Sequence, residues 1–350
     1  MIRTQKAPED TIESLRKNLN YMLGVSRRHR EHQGAVLAAT RSVFDMPVLV
    51  GDLHSHSTFS DGFGSVSENW DMAKAAGLDF LFVTDHMSIA QKQDCREPGL
   101  WWGQEPGIGG HHLALLAPKR LFTPSLDGTV QDYRRAKKLS PFVFFPHPAG
   151  WWPRTWYEDD RIHELDEIEE PFAMEVLNGA NKLDRAYDAF DAAAQQIWDR
   201  LLTLGRKITG LGGSDAHSPQ GIGCAWTGVF GARKELDSVI QALTAGHCFA
   251  SEGPVLLLRS RNCTMGDTIK LRAGGEATLW MRAAYAPGLH SVRLIASGGK
   301  TVKAYRCDDD PLFENSLVIR ATSQPTYYRM EARGIDDRRA FGSALFLSPP

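Results

Sequence analysis

Cysteine is scarce in this chain. The 350 residues hold five (Cys95, Cys224, Cys248, Cys263, Cys307), widely spread and never in a CxxC pair. That excludes a disulfide framework and a thiolate zinc ribbon, and it predicts a reduced, cytoplasmic compartment. Long apolar runs are missing too, since none approaches the ~18 residues that a membrane span requires. The N-terminus, MIRTQKAPEDTIESL, lacks the apolar core of a secretory signal. Neither sign of charge dominates. Lys and Arg number 40 and Asp and Glu 42, a formal net charge of −2, so no strong field draws nucleic acid or an anionic membrane. No P-loop, dinucleotide-binding glycine fingerprint or GxSxG element occurs.

What is present is an ordinary globular composition, 42% hydrophobic and 23% charged, which supports buried cores in about two domains. Three stretches differ in pattern. Residues 1–45 read as a helical segment, with a helix from 8 to about 33. Leu15, Leu19, Met22 and Leu23 share one face of it, and the basic cluster Arg27, Arg28, Arg30 reads as a solvated face. Residues 46–250 alternate apolar strands with helices, which predicts parallel βα units. PVLVGDLH, LDFLFVTDH, HLALLA, PFVFFPHP, AMEVLN and KITGLGGSDAH are the strands. Ser65 and Glu68 form a capping-box pattern opening a helix that Gly77 stops. Further helices are expected over about 184–204 and in ELDSVIQALTAG. Residues 251–350 carry short alternating runs between Gly-rich turns, the pattern of a small antiparallel β domain. That domain is net +4, against −6 for the remainder.

The chain has twelve histidines, and seven of them fall at strand ends among carboxylates. Asp52-Leu53-His54-Ser55-His56 is followed by Asp61, and residues two apart on a strand face the same way, so His54 and His56 can aim at one ion. Thr84-Asp85-His86, Pro146-His147 and Ser214-Asp215-Ala216-His217 repeat the theme, with Glu105 and the His111-His112 pair between them. Histidine with carboxylate is the ligand set of Zn, Mn or Fe. One such cluster is weak evidence of a metal, whereas a whole series at strand ends is strong.

The order of motifs DLHSHSTFSDG, VTDH, a Glu before HHLALLA, FPHP and GGSDAH resembles the polymerase-and-histidinol-phosphatase (PHP) superfamily, across about 52–217. MEVLNGAN, IWDRLLTLG, GLGGSDAH and CFASEGPVL extend the resemblance to its carbaryl-hydrolase-like branch. The resemblance implies an α/β fold, a distorted seven-stranded β/α barrel carrying the small C-terminal β domain, and two or three divalent ions (Zn, Mn or Fe). It implies a first ion on His54, His56, Glu105 and Asp215. A second would share Glu105 with His112 and His147, and a third would sit on Asp61, His86 and His217. Glu97 competes with Glu105. His112 is preferred to His111 because it begins the apolar strand in the family manner, which leaves His111 as a catalytic, substrate or outer contact, or a merely exposed residue. Asp52, Asp85 and Glu175 read as outer or structural groups, Asn178 shares the motif of Glu175, and Ser214 reads as a turn residue. The acidic run 158–170 reads as a surface helix.

The implied chemistry is hydrolysis by a hydroxide bridging two ions, with Glu105 and Asp215 at the reacting centre. A small organic phosphate ester is the expected substrate, with Arg154, Lys182 and Arg185 as candidates to hold phosphate oxygens. The alternative is a carbamate, amide or carboxylic ester with an aromatic body, suggested by Trp101, Trp102, Trp151, Trp152, Trp156 and Tyr157 beside the motifs. A non-catalytic metal-binding module would show broken motifs, and none is visibly broken. A nucleic-acid exonuclease would want a basic groove, which residues 1–250, at net −6, do not suggest.

Overall fold

The computed structural model describes residues 9–108, 111–125, 128–151, 155–156, 159–180 and 182–350, without the side chains of 9–23, 25, 108, 111, 155 and 159–161. Among them, no helix is long and apolar enough to cross a membrane. Helix α1 spans Glu9–Arg41, eight residues past its expected end. The added turns, GAVLAATR, are rich in strong helix formers. Gly34 is there because α1 crosses α2 (Val66–Ala75) closely: a Cβ on it would sit 2.5 Å from the Ala75 carbonyl oxygen. The Leu15, Leu19, Met22 and Leu23 side chains lie outside the described residues. Ser65 caps α2 with its hydroxyl and Glu68 returns the bond, as the sequence pattern predicts.

Seven strands lie side by side in chain order: β1 (Val48–Asp52), β2 (Phe80–Val83), β3 (Leu100–Gln104), β4 (Ala114–Leu116), β5 (Phe142–Phe145), β6 (Phe172–Asn178) and β7 (Ile208–Gly213). Two features differ from the expected parallel series. LWWGQ forms β3, which reads as loop in the sequence because its Trp-Trp-Gly core has no alternation. The HLALLA strand β4 runs antiparallel to both neighbours, while β1–β2–β3 and β5–β6–β7 are parallel. Among the described residues of 105–113 there is no helix to carry a parallel crossover, and the strand that follows turns back. The start of β4 therefore lies on the same rim as the C-terminal ends of the other strands.

The sheet curls. Past the ends of β1 and β7, Ser55 bridges Ala216 in parallel, the Asp215 amide donates to the His54 carbonyl (2.8 Å), and the His56 amide donates to the Ala216 carbonyl (2.9 Å). One buried cluster takes apolar side chains from β2 through β7, Phe82, Trp101, Ala114, Phe144, Ala173 and Leu211 among them, together with Leu53 just past β1, and helix α5 (Leu236–Ala245) joins it through Val239 and Leu243. Helices α3 (Thr129–Ala136) and α4 (Ala189–Thr203) cover the opposite face of β5 and β6 through Tyr133, Trp198 and Leu201.

On the other side of β1 the sheet continues through antiparallel β8 (Trp226–Phe230) and β9 (Cys248–Ser251). The C-terminal region is antiparallel, as its alternation predicts, apart from one parallel pairing of Thr268–Lys270 with Leu345–Ser348. It contains β10 (Val255–Ser260), β11 (Glu276–Ala284), β12 (Leu289–Ala296), β13 (Lys300–Arg306), β14 (Leu312–Arg320), β15 (Thr326–Gly334), β16 (Arg339–Gly342) and β17 (Leu345–Ser348). Strands β16, β15, β12 and β13 extend the large sheet beyond β9, while β10, β11 and β14 form a second sheet. Arg329 of β15 ties this region to α4: its buried guanidinium donates to Asp199 (2.7 and 2.8 Å) and Glu331 (2.6 Å).

Candidate metal centre

The strand ends bring nine side chains into three overlapping sets. In each, one ligand atom per residue lies within 4.8 Å of the others: His54, His56, Glu105 and Asp215; Glu105, His112 and His147; and His56, Asp61, His86 and His217. Glu105 follows β3 and is bridged to His86. One of its oxygens lies 3.1 Å from His54 Nε2 and 3.2 Å from His56 Nε2, the other 2.8 Å from His112 Nδ1 and 3.0 Å from His147 Nε2. Its carboxylate thus joins two of the sets. Glu97 is elsewhere, accepting from the Trp70 indole and paired with Lys74. His112 reaches the rim because β4 is reversed.

The supports behind these residues are built from buried polar groups. Glu175 Oε1 lies 3.0 Å from His54 Nδ1, while its Oε2 accepts from the His147 amide (2.8 Å) and the Asn178 side chain (2.7 Å). This fixes which nitrogen of His54 faces the cluster. Asp52 accepts from the backbone amides of His54 (3.2 Å), Ser214 (2.9 Å) and Gly223 (3.2 Å), tying β1 to both ends of the loop that carries Asp215 and His217. Asp85 accepts from the Ser57 amide and hydroxyl and the Ser60 hydroxyl, holding the turn before Asp61. Two of the nine residues, His147 (φ 30°) and Asp215 (φ 49°), adopt left-handed backbone angles, a strain characteristic of functional sites.

Electrostatics follow from crowding buried imidazoles around carboxylates. Burial alone opposes charge on His54, but Asp215, Glu105 and Glu175 overrule it and raise its pKa well above the ordinary imidazole value. His56, under the same opposition, rises to about 9 through its contacts with Asp215 and Glu105. In return, Glu105 and Asp215 fall below the carboxylate range despite burial, and Asp61 falls through its bond to His217. Without cations, protons would balance this site. Divalent ions would displace them. The donor set fits such ions: imidazoles and carboxylates converge, and His56 Nδ1 is buried with no hydrogen-bond partner.

The other expected site residues divide. Arg154, Trp152 and Tyr157 lie outside the described residues, as does the His111 side chain. Lys182 donates to Asp188 and Ala186 and Arg185 pairs with Asp337, so both line a separate cleft with Tyr187 and Arg339. Of the aromatic residues, Trp151 is at the site, stacked on His112 (centroids 5.6 Å apart) and edge-on to His147 (5.1 Å). Trp101 instead packs against Phe80 and Phe82 inside the sheet, Trp102 donates to the Pro118 carbonyl under Lys92, and Trp156 lies against Phe190. A tryptophan on a strand is equally at home on either face, so its side could not be read from sequence. Ser214, read as a turn residue, instead follows β7 directly without forming a turn, its amide held by Asp52. Arg30, read as solvated, is fully buried: it shares a helix face with Gln33, Gly34 and Leu37, which packs on the domain.

A family model described as PHP-associated matches residues 205–248, the segment running from β7 through Asp215 and His217 to α5. The match supports the PHP superfamily. Three solved structures resemble the chain loosely. A two-domain protein from Bacteroides vulgatus containing a predicted PHP-like metal-dependent phosphoesterase is 19% identical, over 87% of this chain and 95% of its own, with a TM-score of 0.48. An inferred metal-dependent phosphoesterase from Bifidobacterium adolescentis is 14% identical over 57% and 97%, TM-score 0.34. An amidohydrolase from Chromobacterium violaceum, with bound sulfate and no metal, is 16% identical over 48% and 88%, TM-score 0.32. None is near enough to carry a functional assignment. No curated protein matches the chain.

Proposed function

We propose that this chain is a metal-dependent phosphoesterase of the PHP superfamily, acting on a small organic phosphate ester. The observation that carries it is the convergence of nine histidine and carboxylate side chains in three overlapping sets at one rim of the sheet. His54, His56, Glu105 and Asp215 would hold one ion, Glu105, His112 and His147 a second, and Asp61, His86 and His217 a third. Bound divalent ions supply Lewis acidity, activating water and polarising the oxygens of the group attacked.

The chain's own residues do the rest. Glu175 holds His54 in one tautomer and orientation. Glu105 offers one carboxylate oxygen to His54 and His56 and the other to His112 and His147, so it would serve two of the ion positions. Asp52 and Asp85 brace the loops that carry Asp215, His217 and Asp61. Trp151 covers the His112 and His147 side against water. Three ligand carboxylates against two or three divalent charges leave the loaded centre net positive, which suits an anionic phosphate better than a neutral carbamate. The withdrawal of Trp101 and Trp102 from the rim removes part of the support for the carbamate reading.

The test is hydrolysis of p-nitrophenyl phosphate and of naphthyl carbamates and esters, with Mn, Zn or Fe, before and after chelation. Phosphate turnover that disappears with the chelator and returns with the ion is expected. Turnover of carbamates or carboxylic esters alone would overturn the phosphoesterase assignment.

A further inference from the structure

Helix α1 precedes the motif-bearing stretch, yet it plants a fully buried arginine behind the centre. The Arg30 guanidinium donates to the Gln220 carbonyl twice (2.7 and 3.2 Å) and to the Leu183 carbonyl (2.8 Å), with Gln33 of the same helix accepting a further bond. These carbonyls belong to two neighbouring loops. Residues 214–223 carry Asp215 and His217, and residues 179–188 follow Asn178, which holds Glu175. The first loop is pinned at both ends by Asp52, through the amides of Ser214 and Gly223. Arg30 grips its crown, three residues beyond His217. The turn after His217 is short, Pro219–Gly221, and the His217 carbonyl accepts from the Phe63 amide (2.8 Å), so displacement of the crown would carry His217 and the Asp61 turn with it.

Burying a guanidinium whose described bonds run to two backbone carbonyls and an amide oxygen, and not to a carboxylate, is expensive. A neutral side chain could fill the same volume more cheaply. What the guanidinium supplies is a rigid planar donor set: Nη2 bonds both loops at once, Nε bonds the Gln220 carbonyl again and Nη1 bonds Gln33, in a geometry that a flexible ammonium does not hold. His29 and Gln33 reinforce the grip by reaching Asp184 in the second loop, at 3.2 and 3.3 Å.

We infer that Arg30 is a positioning residue of the metal centre, through which helix α1 sets the His217 loop and with it the most exposed ion position, that of Asp61, His86 and His217. This rests on the proposed metal-binding function. Outer partners of ligands typically tune metal affinity 10–100-fold, and an effect in that range is expected here for one position and not for the others.

The test is metal titration of the full-length protein, read as the number of ions and their individual affinities, in wild type, Arg30→Met, Arg30→Lys and Arg329→Met. Arg329→Met is the control for lost stability alone, because Arg329 joins β15 to α4 and has no bond to the ligand loops. Arg30→Met is expected to weaken the weakest-bound ion by 10–100-fold and leave the tighter ions within about twofold. Arg30→Lys, which keeps charge but cannot fork, should weaken it less, and Arg329→Met should leave every affinity unchanged at a lower melting temperature. If Arg30→Met fails to fold, unchanged affinities in Arg30→Lys overturn the inference. So does equal weakening of all ions in Arg30→Met and Arg329→Met. A wild type that binds no divalent ion would instead overturn the metal-binding function itself.

Discussion

Replacing Glu175 by glutamine isolates what orientation contributes to the centre. The carboxylate accepts three bonds: Oε1 faces His54 Nδ1 at 3.0 Å, and Oε2 takes the His147 amide at 2.8 Å and the Asn178 side chain at 2.7 Å. A glutamine can keep its oxygen at the Oε2 position and satisfy both of the latter. Its NH2 then faces His54 Nδ1, so the ring must turn that nitrogen into an acceptor and place its proton on Nε2. Nε2 is the atom that lies 3.1 Å from Glu105, and a protonated Nε2 cannot ligate an ion. Forcing the wrong tautomer should weaken metal binding by the 10–100-fold typical of such partners, or about 1.4–2.7 kcal/mol. Because the fold keeps two of three bonds, the unfolding free energy should fall by only about 1 kcal/mol. The assay is competition for Mn or Zn against a chromophoric chelator, alongside urea denaturation of the metal-free protein. Glu175→Ala gives the contrast, since it strands three buried donors, His54 Nδ1, the His147 amide and the Asn178 side chain, and should cost stability by about 1–3 kcal/mol for each. An affinity within about twofold of wild type in a well-folded Glu175→Gln would refute the role assigned to this carboxylate.

Other outcomes follow from the same geometry. His56 titrates near 9 in the metal-free site, above the ordinary imidazole value of 6.5. Its contribution to metal-free stability is therefore full below pH 6.5 and lost as pH rises through about 9. At most about 3 kcal/mol is involved, measurable by urea denaturation at pH 6 and pH 9.5; a metal-free protein more stable at the higher pH would contradict this. Protons compete with ions over the same range, so metal affinity should climb as pH rises toward 9. Asp52→Asn should turn an NH2 toward the Gly223 amide and lower stability by about 1–3 kcal/mol in denaturation experiments. A change below about 0.5 kcal/mol would show that Asp52 does not brace the 214–223 loop.

Much of the centre was legible because ligand spacing reports strand parity. His54 and His56, two apart on an extended run, had to face the same way, whereas Asp215 turns left-handed just past β7 (φ 49°), so it and His217 serve different ligand sets. Other parts left no trace in local pattern. The direction of β4 is invisible to periodicity, which reads the same both ways, so the reason His112 reaches the rim appears only in the fold. Glu105 was placed by resemblance and not by pattern, because the Trp101-Trp102-Gly103 core of its strand hides the alternation. Arg30 looked like surface charge beside Arg27 and Arg28, since charge predicts exposure and only packing reveals the exception. The C-terminal alternation predicted antiparallel strands, but not that β16 would join β9 and make the large sheet continuous.

The claim everything else depends on is that these nine side chains hold divalent ions through Glu105. The most direct measurement is elemental analysis of the purified full-length protein, loaded and dialysed, in wild type and Glu105→Gln. Two or three ions per chain are expected in the wild type, and a loss of at least one in Glu105→Gln, because that carboxylate serves two of the three sets. Metal-free wild type, or a Glu105→Gln variant with an undiminished complement, would contradict the account.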